Sequence, residues 1–256
     1  LIARSVGQAM QASLGQPVVV ENKPGAGTTI AMKALIDAPP DGYTLMLTAN
    51  SIAANPALYK PAPFDPEKDV APVALVGRVP VVIAANAASP YTSVAQLIQA
   101  AKGKPNTIAY GSQGNGATPH MAMEFFTRAA GVDLQHIPYK GGSQAITDAI
   151  GGQIPLVAVN ALEVLPHVKS GKLRVIAVIS PTRSSIYPDV PTIAESGFPG
   201  FEASVWYGFI APAGTPKAVV ERLHAEVEKA LQHPDVRARL ANAGGEVLPG
   251  STEQFA

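Results

Sequence analysis

The chain has 256 residues with 19 basic and 19 acidic side chains and no cysteine. This length suits one large domain or two of ordinary size. The balanced charge argues against nucleic acid and anionic membrane surfaces as partners, and the lack of cysteine excludes disulfides, thiolate catalysis and cysteine metal sites. No apolar run reaches the roughly eighteen residues that span a bilayer, so we expect a soluble protein.

The first elements predicted along the chain are a helix, a strand and a second helix. Apolar residues recur every four positions from Ile2 to Leu14, as on one buried helix face. Because this pattern begins in mid-helix at Leu1, we expect an upstream segment with a signal peptide and a first strand. Val18–Val20 has the continuous apolar run of a strand covered on both faces, and a glycine-rich turn then leads into a helix ending near Ile36.

A strand predicted over Tyr43–Thr48 ends at Asn50 and Ser51. Ligands of open α/β sheets bind at the carboxyl ends of strands, so these two residues are candidates for ligand binding. The alternative is that they cap a helix that starts at Ile52.

Strands and helices alternate along the rest of the chain, which predicts an α/β fold with helices flanking a mostly parallel sheet. We predict strands at residues 73–76, 79–84, 108–110, 134–138, 154–159, 174–180 and 204–211, and helices at 94–101, 118–130, 143–150, 162–168, 217–232 and 234–243. Two crossing points, near residues 84–90 and 204–212, predict two lobes with a ligand cleft between them. Lobe 1 would comprise residues 1–88 and 209–256, and lobe 2 residues 89–208.

The glycine-rich turn Gly111–Gly116 is the strongest candidate for a ligand site. It follows a short strand and precedes a helix for which we predict Thr118 at the N-cap and Pro119 at the first helical position. This order gathers backbone N–H groups at the positive end of a helix dipole, where an anion binds. Since Ala117 stands where a nucleotide-phosphate loop needs lysine, the turn suits a carboxylate better than a triphosphate. The alternative is a tight turn that holds no ligand.

Four further side chains are candidates for ligand binding. His120 lies in the first turn of the helix, where we expect a neutral ring that orders the loop, with direct ligand contact as the alternative. Tyr139 would line a pocket or pack between the lobes. Lys140 would offset a ligand's charge or remain solvated, and Asn160 ends a predicted strand as Asn50 does.

A catalytic site is the weakest of the alternatives. Residues 141–145 resemble a nucleophile elbow centred on Ser143, and Asp189 and His224 follow in the order that such hydrolases use. However, His224 falls on a predicted surface helix, and Ser143 equally suits a helix cap. No two of the five histidines have metal-ligand spacing, so we expect neither a metal nor a cofactor.

The chain as a whole resembles the substrate-binding receptors of tripartite tricarboxylate transporters, the Bug-type or TctC-like family. The resemblance covers nearly the whole chain and lies in eight segments that occur in the same order: VVVENKPGAGTT, APPDGYTL, LYKPAPFDPEKD, YGSQGNGATPH, IPYKGGSQAITDAIGGQI, LPHVKSGKLRVIAV, PDVPTIAESGFPGFE and WYGFIAPAGTPK. It implies a two-lobed fold like that of type II periplasmic binding proteins. It also implies a non-enzymatic, monomeric periplasmic receptor that delivers a small carboxylate to membrane permease subunits; a sensor that signals to a membrane partner is the alternative.

The resemblance also implies which residues bind the ligand. In the family one of two carboxylate-binding loops corresponds to the glycine-rich turn, which carries over to Ser112, Gln113, Gly114, Asn115, Gly116 and Thr118; Ala117, between the last two, is included among the ligand-binding candidates. The other loop follows the family's first strand. Ala117 stands where the family often has serine or threonine, and Val159 where an aspartate is common. Without that aspartate, we expect a carboxylate that has no amino group.

Overall fold

The computed structural model describes residues 2–242, 244–248 and 250–255, and it divides into two compact units. Unit 1 is Leu1–Arg78 with Trp206–Ala256, and unit 2 is Val79–Val205. The first crossing therefore comes before residues 84–90, where a crossing was predicted, and the second lies inside the predicted stretch 204–212. Leu1 and Ala243, the outer ends of two predicted helices, lie outside the described residues.

Unit 1 contains a small sheet with helices packed on it. Its helices and strands are α1 (Ile2–Leu14), a short 3₁₀ helix (Ala26–Thr28), α2 (Thr29–Ile36), β1 (Met46–Ala49), α3 (Ser51–Leu58), the first part of β2 (Val70–Asn86), most of β7 (Ser204–Pro212), α8 (Lys217–Gln232), α9 (Pro234–Asn242), β8 (Glu246–Val247) and α10 (Thr252–Phe255). In sheet order, β1 pairs with β7 and β7 lies beside β2. The pairs β1–β7 and β2–β8 are antiparallel.

The predicted strand at Val18–Val20 does not form. These residues belong to neither a helix nor a strand, and the side chain of Val19 is 80% exposed. Val18 instead packs into the core formed by α1, α8 and α9. The apolar run was therefore misinterpreted: only alternate residues face the core. The next predicted strand is also shorter than expected, because β1 begins at Met46 and Tyr43 is 90% exposed.

Unit 2 contains a five-stranded sheet. It comprises the second part of β2, α4 (Val94–Ala101), β3 (Ala109–Ser112), α5 (Thr118–Ala130), β4 (Gln135–Pro138), α6 (Gly142–Ile150), β5 (Leu156–Asn160), α7 (Ala161–Lys169) and β6 (Leu173–Ile179). The strand order is β6-β2-β5-β3-β4. Valine, isoleucine and alanine dominate β2, β5 and β6, which have almost no exposed residue because helices cover the sheet.

The α/β class is confirmed, but the prediction of a mostly parallel sheet is wrong in detail. β3 runs parallel to β4 and β5, whereas β2 runs antiparallel to β5 and β6. The two strands predicted at 73–76 and 79–84 are one continuous strand, β2, which passes from unit 1 into unit 2. Strand direction is not encoded in local apolar patterns, so the alternation of elements could not reveal it.

Helix α5 is fixed by its apolar face. Met123 and Phe126 have no exposed surface, and the ring of Phe126 meets Phe198 edge-on with centroids 5.6 Å apart. The helix ends at Gly131, which takes the left-handed conformation with φ 64°. At its start the predicted cap is shifted by one residue: Ala117 occupies the N-cap position and Thr118 begins the helix. None of the helices in the described part of the chain is long and apolar enough to cross a membrane.

Candidate functional site

Most of the predicted ligand residues of unit 2 lie at the carboxyl ends of three parallel strands. β3 and β4 pair with Ser112 opposite Pro138, and β3 and β5 pair with Gly111 opposite Val157. The carboxyl ends of the three strands therefore lie side by side: the glycine-rich turn follows β3, Tyr139 follows β4, and Asn160 is the last residue of β5. The N–H of Tyr139 donates to the carbonyl of Ser112 at 3.1 Å, which ties the first two of these segments together.

The turn uses some of its N–H groups internally. Gly114 N–H donates to Ser112 Oγ at 3.2 Å, Ala117 N–H donates to the carbonyl of Gly114 at 3.2 Å, and Gly116 N–H donates to His120 Nδ1 at 3.2 Å. Gly114 and Gly116 have φ of 117° and 76°, which L side chains rarely adopt. A Cβ added to Gly114 would also lie 3.0 Å from the carbonyl oxygen of Tyr139. A side chain at either position would therefore strain the backbone.

Three N–H groups, two in the turn and one at the start of α5, remain available to a ligand. Those of Gln113, Asn115 and Thr118 have no acceptor among the described residues. Thr118 starts the 13-residue helix α5, whose first turn has no acidic side chain. The free donors and the helix dipole together favour a negatively charged group at this point.

Two stacked histidines lie against the turn. The rings of His120 on α5 and His136 on β4 are stacked with centroids 4.1 Å apart. The ring of Tyr110 also stacks on His136, with centroids 5.0 Å apart. Nε2 of His136 is 2.7 Å from the hydroxyl of Ser112, which is fully buried. Burial lowers the pKa of His120, against an opposing effect of Glu124, and burial next to His120 lowers the pKa of His136 to about 4. Both shifts favour the neutral form of the rings.

Glu163 links the turn to the end of β5. Its Oε1 accepts hydrogen bonds from Gln113 Nε2 at 2.5 Å and from Asn160 Nδ2 at 2.8 Å. Burial raises the pKa of Glu163, although both of these bonds act in the opposite direction. A Cβ added to Gly142, in the first turn of α6, would force this carboxylate to move. Three elements thus meet at one side chain.

The sequence analysis missed Glu163 and His136 as site residues. Asn160 and Glu163 have the spacing of an N-cap residue and the acidic residue three positions later, so a capping-box pattern could have identified Glu163. In the structure the side chains of this pair bond to each other. His136 carried no signal, because it lies in a half-exposed strand whose neighbours become known only with the fold.

The other predicted ligand residues differ in their surroundings. The hydroxyl of Tyr139 donates to Asp148 at 2.7 Å. Burial, and to a smaller extent this hydrogen bond, raises the pKa of Tyr139 to about 12. Together with Gln144 and Thr147, these two residues line a shallow open depression. Lys140 is exposed and has no hydrogen bond or ion pair with a described residue.

Asn50 and Ser51 lie in unit 1. Asn50 occupies the N-cap position of α3 but makes no side-chain capping bond; its Oδ1 instead accepts the N–H of Trp206 at 3.0 Å. Ser51 is buried, with its hydroxyl 3.0 Å from that of Thr28. Both side chains have structural contacts that their position at a strand end did not predict.

The hydrolase alternative has no support in the local geometry. Ser143 lies in the first turn of α6 and is not its cap, which is Gly141. His224 belongs to unit 1, where its Nδ1 is 2.8 Å from the carbonyl oxygen of Val73. Within the described ranges no group of three or more His, Cys, Asp or Glu side chains is arranged to hold a metal ion.

Comparison with known proteins gives one consistent result. Residues 2–256 match the family model described as tripartite tricarboxylate transporter family receptor. Three similar solved structures are the periplasmic binding protein BugD, at 36% identity and TM-score 0.93, Rpa4515 of R. palustris with adipate, at 32% and 0.94, and MatC (Rpa3494) of Rhodopseudomonas palustris with bound malate, at 32% and 0.90. The three alignments cover 99%, 99% and 100% of this chain and 86%, 85% and 86% of the respective structures.

Proposed function

This chain belongs to the tripartite tricarboxylate transporter receptor family, and on that premise we propose that it captures a small carboxylate outside the cytoplasmic membrane and delivers it to membrane permease subunits. The ligand's carboxylate is held by the turn at residues 112–118, with Asn160 and Tyr139 beside it. The chain acts by binding and release, without a catalytic step.

One structural observation carries this proposal: three N–H groups that have no acceptor among the described residues lie at or just before the N-terminus of α5. Hydrogen bonds to a charged acceptor contribute roughly 1.5 to 3 kcal/mol each. Binding at micromolar affinity requires about 8 kcal/mol. The N–H groups of Gln113, Asn115 and Thr118, with one or two side-chain donors, supply that amount after the cost of ordering. No lysine or metal is needed.

Similar proteins support the chemical class of the ligand. The structures of Rpa4515 and MatC contain adipate and malate, both dicarboxylates. Val159 of this chain is fully buried among apolar residues, so it offers no counter-charge to an amino group. We therefore propose a carboxylate that lacks an amino group as the ligand.

Isothermal titration with L-malate, L-aspartate, adipate and citrate tests the ligand class. L-malate and L-aspartate differ only in a hydroxyl against an amino group at the same carbon, so they isolate the effect of the amino group. We expect binding of at least one of the acids without an amino group and none of L-aspartate. Preferential binding of L-aspartate would assign the counter-charge to Glu163 and overturn the ligand class; binding of uncharged compounds alone would overturn the assignment of the turn.

The transport partner requires a separate experiment. The chain, with and without the bound carboxylate, is immobilised and exposed to detergent-solubilised membranes that contain the permease subunits of a tripartite transporter. We expect retention of the permease to depend on the carboxylate. Retention of a membrane receptor kinase in place of a permease would favour the sensor alternative.

A further inference from the structure

The stacked pair His120–His136 has no role in the chemistry described so far, although it contacts two points of the ligand turn. His120 accepts the N–H of Gly116 through Nδ1, and His136 bonds the hydroxyl of Ser112 through Nε2. That hydroxyl in turn accepts the N–H of Gly114 at 3.2 Å. The two rings therefore reach both glycines that have positive φ in the turn.

The stack joins these two contacts into one support. His120 comes from α5, after the turn, and His136 comes from β4, the strand next to the turn's own strand β3. With 4.1 Å between the ring centroids and an interplanar angle of 27°, movement of one ring displaces the other. Glu124 fixes the outer side: its Oε1 accepts the hydroxyl of Tyr110 at 2.9 Å and lies 3.7 Å from His120 Nε2.

The hydrogen bond from Gly116 also defines the tautomer of His120. Nδ1 of His120 is an acceptor, so its proton lies on Nε2, on the side of Glu124. When His120 accepts Gly116 N–H, and Ser112 Oγ accepts Gly114 N–H, these two amides are removed from the set that the ligand meets. The free donors are then those of Gln113, Asn115 and Thr118, since Ala117 N–H donates to the carbonyl of Gly114.

We propose that His120 and His136 are positioning residues for ligand binding: by holding Gly116 N–H and Ser112 Oγ, the stacked pair fixes which amides of the turn face the carboxylate. This inference rests on the proposed function, since it assigns the arrangement of the same site. Neither ring touches the ligand.

Paired substitutions test the proposal. His120→Asn places an acceptor where Nδ1 is, whereas His120→Phe keeps a ring for the stack and removes the acceptor. For His136, which uses Nε2, the corresponding variants are His136→Gln and His136→Phe. With L-malate and adipate as probes, we expect each phenylalanine variant to bind about tenfold more weakly and each amide variant to bind within about twofold of the parent. His167→Phe, on α7 and without a side-chain hydrogen bond to a described residue, is the control and should bind as the parent does.

A second measurement does not depend on the ligand. Hydrogen exchange of the Gly116 amide, followed by NMR in the unliganded protein, should be faster in His120→Phe and unchanged in His120→Asn and His167→Phe. If the parent binds none of L-malate, adipate and citrate, the proposed ligand class fails, while this measurement still decides whether His120 holds the turn. Equal Gly116 exchange in the parent and His120→Phe, or equal affinity in all the variants, would overturn the positioning role.

Discussion

Gln113 and Glu163 are joined by a hydrogen bond from Nε2 to Oε1, although fifty residues separate them in the sequence. Glu163 also accepts from Asn160, so the turn after β3 and the end of β5 share one carboxylate. This arrangement places a buried acidic group beside the turn at which we propose that an anion binds. Through Glu163, the structure brings together Gln113 and Asn160, which were predicted separately as ligand residues.

The buried carboxylate of Glu163 gives a pH-dependent contribution to stability. Because burial raises its pKa above the ordinary value of 4.5, the folded protein holds the proton more tightly than the unfolded chain, and stability falls as the pH rises above 4.5. We expect Glu163→Gln to lack this loss, so that its melting temperature relative to the parent is higher at pH 7 than at pH 4. The control is Glu221→Gln, whose parent side chain is 64% exposed. A constant difference at all pH values would show that Glu163 is ionised normally.

The histidine stack should contribute to stability with the opposite pH dependence. The pKa of His136 is lowered from 6.5 to about 4, chiefly by burial, so the folded state binds fewer protons than the unfolded chain between these values. Stability is then lost as the pH falls from about 6.5 toward 4. We expect His136→Phe to reduce this loss in urea unfolding measured at pH 7, 5.5 and 4.5. His233→Phe, at an exposed position beyond α8, should leave the acid-induced loss as it is in the parent.

The left-handed turn can be tested with a matched pair of glycines. Gly116 and Gly152 have φ of 76° and 75°, but only Gly116 belongs to the proposed site. We expect Gly116→Ala and Gly152→Ala to destabilise the fold by a similar amount, roughly 1 kcal/mol. Only Gly116→Ala should weaken carboxylate binding in isothermal titration. Equal binding by both variants would mean that the turn is purely structural.

Neighbouring phenylalanines on α5 should differ sharply in their importance for folding. Phe126 is fully buried against Phe198 and Phe201, whereas Phe125 is 54% exposed. We expect Phe126→Ala to lower the free energy of unfolding by about 3–5 kcal/mol and Phe125→Ala to change it by less than about 0.5 kcal/mol. Urea unfolding followed by circular dichroism measures both; similar losses would contradict the packing of α5 described above.

Ester hydrolysis provides a direct test for the absence of catalysis. Ser143 lies in the first turn of α6 and has no side-chain hydrogen bond to a described histidine. We expect no turnover of p-nitrophenyl acetate above the buffer rate, and the same result for Ser143→Ala. Turnover in the parent that disappears in Ser143→Ala would restore the hydrolase hypothesis.

Local patterns predicted most elements but not their partners. The helix stripe of α8, the turn before α5 and the strand end at Asn160 all depend on short-range spacing, which the sequence displays. The N-cap of α5 and the end of β3 were misplaced by one and two residues, respectively. Val18–Val20 was predicted as a covered strand, because an apolar run does not reveal whether another element lies over it. The bond between Gln113 and Glu163 and the stack of His136 on His120 depend on the pairing of β3 with β4 and β5, which is a non-local property.

β2 is a single 17-residue strand that supplies both sheets: Gly77 pairs with β8 in unit 1, and Val81 pairs with β5 and β6 in unit 2. The boundary between the units, at Arg78 and Val79, falls inside this strand, so a gene that encodes only one unit would begin or end in the middle of a β-strand. Neither unit is therefore a self-contained receptor. An engineered single unit would therefore need a newly designed end for β2 at this boundary.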